Sequence, residues 1–211
     1  MFPVLSSFPF SCELLLIDDG STDATASLLA DLAARHPSVT LVRHLMNQGL
    51  GASLRSGFEH AKGDAALTLD ADLTFHPRQA ELLINAFDPS VDAVLGSPLK
   101  GKMEGVSAFR TLLSHGVNLI YGLLFGKSIT SASSLFRLYR MSKIKQLDLK
   151  SDSFDINAEI LFKILRSGGL VREVGVVLTE RQYGQSKIRF FREIVNHLRM
   201  FMRILSWRLT S

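Results

Sequence analysis

Short apolar runs alternate with stretches of helical spacing through the first half of the chain. "ELLLID" (13–18), "VTLVRH" (39–44), "AALTLD" (65–70) and "DAVLG" (92–96) are short and near-continuously apolar, and they predict strands. Residues 22–35 carry Leu28, Leu29, Leu32 and Ala33 at helical spacing, with Ser21 or Thr22 as cap and Asp23 in the first turn. A second helix is expected over 50–62, ending at Gly63, and a third from about Pro77 to Phe87. This alternation predicts an α/β layer architecture with a largely parallel sheet, in which ligands bind beyond the C-terminal strand ends.

The second half is patterned differently. "FRTLLSHGVNLIYGLLFG" (109–126) predicts a strongly apolar helix interrupted by Ser114, His115 and Asn118. "SLFRLYR" (134–140) alternates like a strand, "FDINAEILFKILRSGG" (154–169) reads as a helix closed by Gly168, and "LVREVGVVL" (170–178) as a strand. The segment "TERQYGQSK" (179–187) then leads into a last helix, 188–208. There Phe191, Ile194, Val195, Leu198, Phe201, Met202 and Leu205 fall at three- and four-residue steps, and Arg189, Arg192, Arg199 and Arg203 recur on another face. A basic amphipathic helix of this kind suits the headgroup region of an anionic membrane, with Trp207 as an interfacial anchor; an ordinary packing helix with a solvated face would show a similar pattern.

Composition narrows the picture. The 211 residues fit one domain with a sizeable core. Hydrophobic residues make up 46% and mean hydropathy is +0.19, but no run approaches the ~18 uninterrupted apolar residues of a membrane-spanning helix. Net charge is only +4, with its positive part gathered near the C-terminus, so no nucleic-acid partner is expected. The single cysteine, Cys12, rules out an internal disulfide and fits a reducing compartment. The opening "MFPVLSSFPFSCELLLIDDG" lacks the basic start of a signal peptide and is expected to be the remnant of a core element.

The candidate chemistry sits at two strand ends, "DDGS" (18–21) and "DAD" (70–72). In "LTLDADLTF" (67–75), Asp70 and Asp72 fall on one face of an extended segment, where like charges repel unless a cation lies between them. Such a pair can hold a divalent ion that bridges a diphosphate. Alternatively one aspartate caps the next helix while the other faces solvent. "DADLT" also fits the nucleophile motif of haloacid-dehalogenase-type phosphatases, although there the motif opens the fold and further acidic residues follow it, whereas here "DD" comes first. Asp18 and Asp19 alone would also suit an Asx-turn, and Arg181 and Lys187 would suit solvated loop charges. Gly49, Gly51 and Gly57 are expected to permit tight backbone packing, and Leu135, Phe136 and Tyr139 to line core or groove. His60, His76 and His115 are scattered and make no metal site.

Taken in order, "LLLIDDGSTDAT" (14–25), "NQGLGASLRSGFEHAKGDAALTLDADLTFHP" (47–77), "FRLYR" (136–140) and "RQYGQSK" (181–187) resemble the inverting glycosyltransferases of the A fold, glycosyltransferase family 2. Within that family the dolichyl-phosphate mannose synthase and polyprenyl-phosphate glucosyltransferase branch is the most similar. The resemblance implies the GT-A α/β/α sandwich over residues 1–187, with 188–211 as a separate interfacial helix. It implies a metal-dependent hexosyltransferase that uses Mg²⁺ or Mn²⁺, a nucleotide sugar (GDP-mannose or UDP-glucose) and a polyprenyl phosphate such as dolichyl or undecaprenyl phosphate. The protein would then lie peripherally on the cytoplasmic face of a membrane.

By the same resemblance, Asp18 and Asp19 meet the base and ribose, and Asp70 and Asp72 the metal and diphosphate. Arg110, Ser114 and Ser186 touch the acceptor phosphate, and Arg181 and Lys187 close over the diphosphate. Asp155 and Glu159 fall in an acidic helix beside the sugar pocket. An acceptor that is already anionic needs positioning and no strong general base. Two positions depart from the pattern: Pro98 stands where the mannose synthases tend to have an arginine, and Thr74 where a glutamine is common. The family's first strand and its Pro-x-Tyr-Asn-Glu loop have no counterpart in the sequence. The sheet is therefore expected to be N-terminally incomplete, with sugar-nucleotide binding weak and activity poor, and a catalytically impaired homologue acting as a binding module is the alternative.

Overall fold

The computed structural model describes residues 2–106, 108–126, 129–180 and 190–209, without side chains at 108–110, 113, 190–194 and 208–209. β1 (Leu14–Asp19) and β2 (Val39–His44) form a parallel pair, Leu14 opposite Val39 through Asp19 opposite His44. The crossover between them is α2 (Thr25–Arg35), and α3 (Leu50–His60) leads on to β3 (Ala65–Thr68). β3 belongs to a four-stranded sheet of order β3-β5-β4-β6, built with β4 (Ala93–Met103), β5 (Arg137–Arg140) and β6 (Val171–Leu178). β5 runs antiparallel to β3 and β4, while β4 and β6 are parallel. Three of these four strands thus point one way, and the parallel expectation holds with β5 as the exception. The two sheets start from one end: the Glu13 carboxylate, just before β1, accepts the backbone N–H of Lys62 (2.7 Å) and Gly63 (3.3 Å), just before β3.

Strand alternation gives the four-stranded sheet two apolar faces. Ala93, Leu95 and Tyr139 pack on one side with Leu54 and Phe58 of α3 and with α7 (Ile156–Arg166). α5 (Ala108–Phe125) and α8 (Phe190–Leu209) complete that layer through Tyr121, Met200 and Ile204, all fully buried. Val94, Phe136, Leu138 and Val176 face the other way, against Phe75 and Leu83 of α4 (Ala80–Asn85). Helices therefore cover both faces, as the α/β/α expectation requires. α1 (Phe2–Leu5) and α6 (Met141–Ile144) are single turns.

Element boundaries differ from expectation where a partner decides them. β3 stops at Thr68, not Asp70, because its partner β5 begins at Arg137, the residue opposite Thr68. β4 runs on to Met103 because Lys102 and Met103 regain Val177 and Leu178 across an irregularity after Ser97, where Pro98 sits. α2 begins at Thr25; neither Ser21 nor Thr22 caps it, and Asp23 accepts the Thr25 N–H instead (3.0 Å). The helix expected over 77–87 is a 3₁₀ turn at Pro77–Gln79 followed by α4. The N-terminal stretch buries nothing in α1, against the expectation of a core element.

Candidate functional site

The turn after β3 carries Asp70 and Asp72, both half-buried. Asp72 Oδ1 accepts the N–H (3.0 Å) and hydroxyl (2.8 Å) of Thr74. Leu73, between them, has φ +60°, the only positive value outside glycine among the described residues. A leucine in that region costs on the order of 1–2 kcal/mol and persists where surrounding bonds enforce it. The cap of the following turn is His76, whose Nδ1 accepts the Arg78 N–H (3.2 Å); neither aspartate serves there. The Thr74 carbonyl accepts the Thr179 N–H (2.9 Å) and hydroxyl (3.3 Å). Gln79 exchanges two hydrogen bonds with Val177, at 2.8 and 2.6 Å. The end of β6 is thereby fastened to the acidic turn from two sides, two residues before Arg181.

The donor set suits Mg²⁺ or Mn²⁺. Among the described residues no cluster of three or more His, Cys, Asp or Glu could cage an ion. Two carboxylates two positions apart match a hard cation that takes the rest of its shell from phosphate and water.

The turn after β1 uses its aspartates differently. Asp18 is 2% exposed; its Oδ1 accepts the Ser21 N–H (3.0 Å), and Arg43 Nε lies 3.3 Å from Oδ2, which has no hydrogen-bond partner. The Ser21 hydroxyl and N–H, with Arg43, hold this carboxyl below its ordinary range despite burial. Asp19 Oδ1 meets His44 Nδ1 (2.7 Å) and the Gln48 N–H (2.9 Å), and Oδ2 the Gly49 N–H (2.8 Å). His44 Nε2 in turn contacts Ser56 Oγ at 2.8 Å. Asp19 thus ties β1 to β2 and to the start of α3.

Gly49 has φ +96°, and a Cβ there would run into the Asp152 carbonyl; a Cβ on Gly51 would strike that of Ser151. Both glycines serve packing, as expected, and the Gly51 N–H donates to the Asp152 carbonyl (2.9 Å). Arg55 adds bonds to the Ser151 carbonyl and the Asp152 carboxylate. The α3 start is thereby locked to the segment before α7.

Asp155, the residue before α7, and Glu159 within it are the acidic residues that the family resemblance sets beside the sugar pocket. Glu159, 1% exposed, accepts the N–H groups of Lys150 (3.1 Å) and Ser151 (2.8 Å) and Lys163 Nζ (2.6 Å). Burial pushes its carboxyl up, but Lys163 and Ser151 outweigh it and hold it below the usual range. Asp155 is raised instead: burial outweighs the opposing pull of the nearby Ser151, His197 and Arg203. Nearby, the Tyr121 hydroxyl meets His197 Nδ1 at 2.7 Å, joining α5 to α8.

Arg137 is fully buried and donates to the carbonyls of Ser131 (2.8 Å), Ala132 (2.6 Å) and Asn157 (2.7 Å). Asn118 of α5 accepts the Ala132 N–H (2.8 Å), and Glu173 of β6 binds Thr130 N–H (2.8 Å) and hydroxyl (2.9 Å). Three elements, α5, β5 and β6, thus fix residues 130–132. Leu135, Phe136 and Tyr139 are buried, as expected. Ser114 is half-buried in α5 and Arg110 lies in that helix's first turn, its side chain outside the described residues; Arg181, Ser186 and Lys187 lie outside them altogether. Arg43, His44, Ser56, Arg137 and Glu173 were not singled out by sequence. Only "FRLYR" pointed toward Arg137; the others carry no local signal.

A sheet covered by helices on both faces, with acidic turns at its strand ends, defines the class: the α/β/α architecture of the A-fold glycosyltransferases. Residues 4–148 match the sequence model of glycosyl transferase family 2, and the chain belongs to that family. It is 32% identical over 180 residues to an undecaprenyl-phosphate 4-deoxy-4-formamido-L-arabinose transferase of Edwardsiella ictaluri, covering 83% of this chain and 52% of that protein. It is 30% identical over 199 residues to a dolichol-phosphate mannosyltransferase of Pyrococcus furiosus, covering 92% and 55%. The chain thus spans about half the length of these two relatives. Among solved structures, mannosyl-3-phosphoglycerate synthase from Rubrobacter xylanophilus superposes with TM-score 0.67 at 19% identity, covering 99% of this chain and 67% of that one. Glucosyl-3-phosphoglycerate synthase from Mycobacterium tuberculosis gives 0.62 at 17%, covering 94% and 69%, in a complex with Mn²⁺, UDP and glucosyl-3-phosphoglycerate. These likenesses show the fold.

Proposed function

We propose that the chain transfers a hexose, mannose or glucose, from GDP-mannose or UDP-glucose to a polyprenyl phosphate, with inversion at the anomeric carbon. The observation that supports this most is the pair of Thr179–Thr74 hydrogen bonds, which hold the residue after β6 beside the turn that carries Asp72. The family and the activities of the two relatives point the same way.

Asp70 and Asp72 would hold Mg²⁺ or Mn²⁺, which supplies charge neutralisation for the departing diphosphate. Arg181 and Lys187 pair with the same diphosphate as its charge grows. Asp18, whose Oδ2 is ion-paired with Arg43 but takes no hydrogen bond, accepts from the nucleoside, while Asp19 acts through the loop it braces. Arg110, Ser114 and Ser186 orient the acceptor phosphate. One of its oxygens attacks the anomeric carbon in line, the bond to the diphosphate oxygen breaks, and the nucleoside diphosphate leaves with that electron pair.

The acceptor implies a membrane. Among the described residues no helix is long and apolar enough to cross one. Yet Leu112, Leu119 and Leu123 on α5 and Leu198 and Met202 on α8 are exposed, the last two beside Arg199 and Arg203. We place this surface on the cytoplasmic face of an anionic bilayer, consistent with an unpaired Cys12.

Incubation with labelled GDP-mannose or UDP-glucose, Mn²⁺ and a polyprenyl phosphate tests the reading. Label is expected in the lipid extract, lost on chelation and in Asp72→Asn. No labelled lipid with either donor, or transfer indifferent to chelation, overturns it.

A further inference from the structure

Away from the strand ends, α7, α8 and residues 146–150 border an open cavity of about 730 Å³. Lys150, Lys163, Arg166 and Arg203 line it against two carboxylates, Asp148 and Glu159, so cations outnumber anions two to one. Glu159 is already committed to Lys163 and two backbone N–H groups, and Asp148 to Lys150 at 2.9 Å. The wall is aromatic: Phe162 and Trp207 stack at 5.4 Å, with Lys163 Nζ 5.1 Å from the Trp207 ring centroid. A cationic rim over an aromatic wall suits an anionic group attached to an apolar body.

Arg203 links this cavity to the outer side of α8. It also borders the exposed groove formed with Val195, Leu198, Arg199 and Met202. We propose that the cavity binds the phosphate of an anionic phospholipid headgroup, so that α8 is held at the bilayer by a lipid distinct from the acceptor. The phosphate would lie among Lys150, Arg166 and Arg203, and the acyl chains would follow Leu198 and Met202. The proposal rests on the membrane contact inferred above, and the test separates the two.

Trp207 is the single tryptophan, so its emission reports on the cavity directly. The full chain is titrated with inorganic phosphate, with phosphatidylcholine vesicles, and with the same vesicles containing phosphatidylglycerol. A saturable change in Trp207 emission is expected with phosphatidylglycerol, with far weaker responses to the other two. The exposed pair Lys150→Gln/Arg166→Gln should bind those vesicles about 30-fold more weakly, the size expected for two cations facing an anionic headgroup, with an unchanged melting temperature. Leu198→Ser/Met202→Ser should lose vesicle binding without altering the response to short-chain phosphatidylglycerol below its micelle concentration. Undiminished vesicle binding by the Lys150/Arg166 variant overturns the headgroup site while leaving the membrane contact standing. A wild-type chain that binds no vesicle overturns both. An equal response to inorganic phosphate makes free phosphate the ligand and overturns the lipid assignment.

Discussion

β1 ends in Asp18 and Asp19, and the turn after β3 carries Asp70 and Asp72, yet the two pairs spend their carboxylates in opposite ways. At the first, Asp19 is used up by its own fold, taking His44 and two backbone N–H groups, while Asp18 keeps one oxygen without a hydrogen bond. At the second, Asp72 gives one oxygen to Thr74, and the backbone between them is forced to a positive φ at Leu73. Acidic residues at a strand end therefore do not have one meaning. A carboxylate saturated by main-chain donors is a brace. One held in a strained turn, tied to a neighbouring strand, is the one proposed above to meet the cation.

The sharpest way to break this contrast is Asp72→Asn. It should lower transfer by about 10²–10³-fold by weakening the cation site, with little change in melting temperature because the turn's Thr74 bonds survive. Near-normal turnover would remove Asp72 from the site. Asp19→Ala should do the reverse: about 2–3 kcal/mol of stability lost, since His44 and the Gln48 and Gly49 N–H groups lose their acceptor. Denaturant titration reads this directly, and a wild-type midpoint would end the bracing role. Thr74→Val should cost about 1 kcal/mol and a smaller fall in kcat, because the hydroxyl bond to Asp72 goes while the carbonyl bond to Thr179 stays.

The smallest expected effect is in pH dependence. Glu159 is depressed in the folded state, so its stabilisation is complete above its ordinary value of 4.5 and is lost as pH falls through its folded value. Asp18 behaves alike below 3.8. Asp155, raised by burial, has the opposite sign and costs stability as pH rises from 3.8 through its folded value. Glu159→Gln should therefore flatten the loss of stability below pH 4.5 without abolishing it, as acid melting curves would record. A curve parallel to wild type would show that Lys163 and Ser151 do not hold Glu159 down.

Much of the molecule was legible in the chain because the signals are local. The apolar runs 13–18, 39–44 and 170–178 are strands nearly to the residue, and the helix expected over 50–62 is α3, Leu50–His60. The Asp70/Asp72 spacing and the glycines at 49 and 51 were equally visible. What sequence could not supply was the pairing across distance. β3 ends at Thr68 only because β5 starts at Arg137, and β4 continues past Pro98 only because Val177 and Leu178 are there to pair. Asp19 and His44 lie 25 residues apart, and nothing in either segment announces their bond. Arg137 looked like one more position in an alternating strand; its full burial among carbonyls of two other segments, 131–132 and the start of α7, follows from tertiary packing. Periodicity and motif spacing are properties of consecutive residues, so the chain carries them by itself. Which carboxylate is saturated as a brace depends on donors brought from elsewhere, and only the tertiary structure decides that.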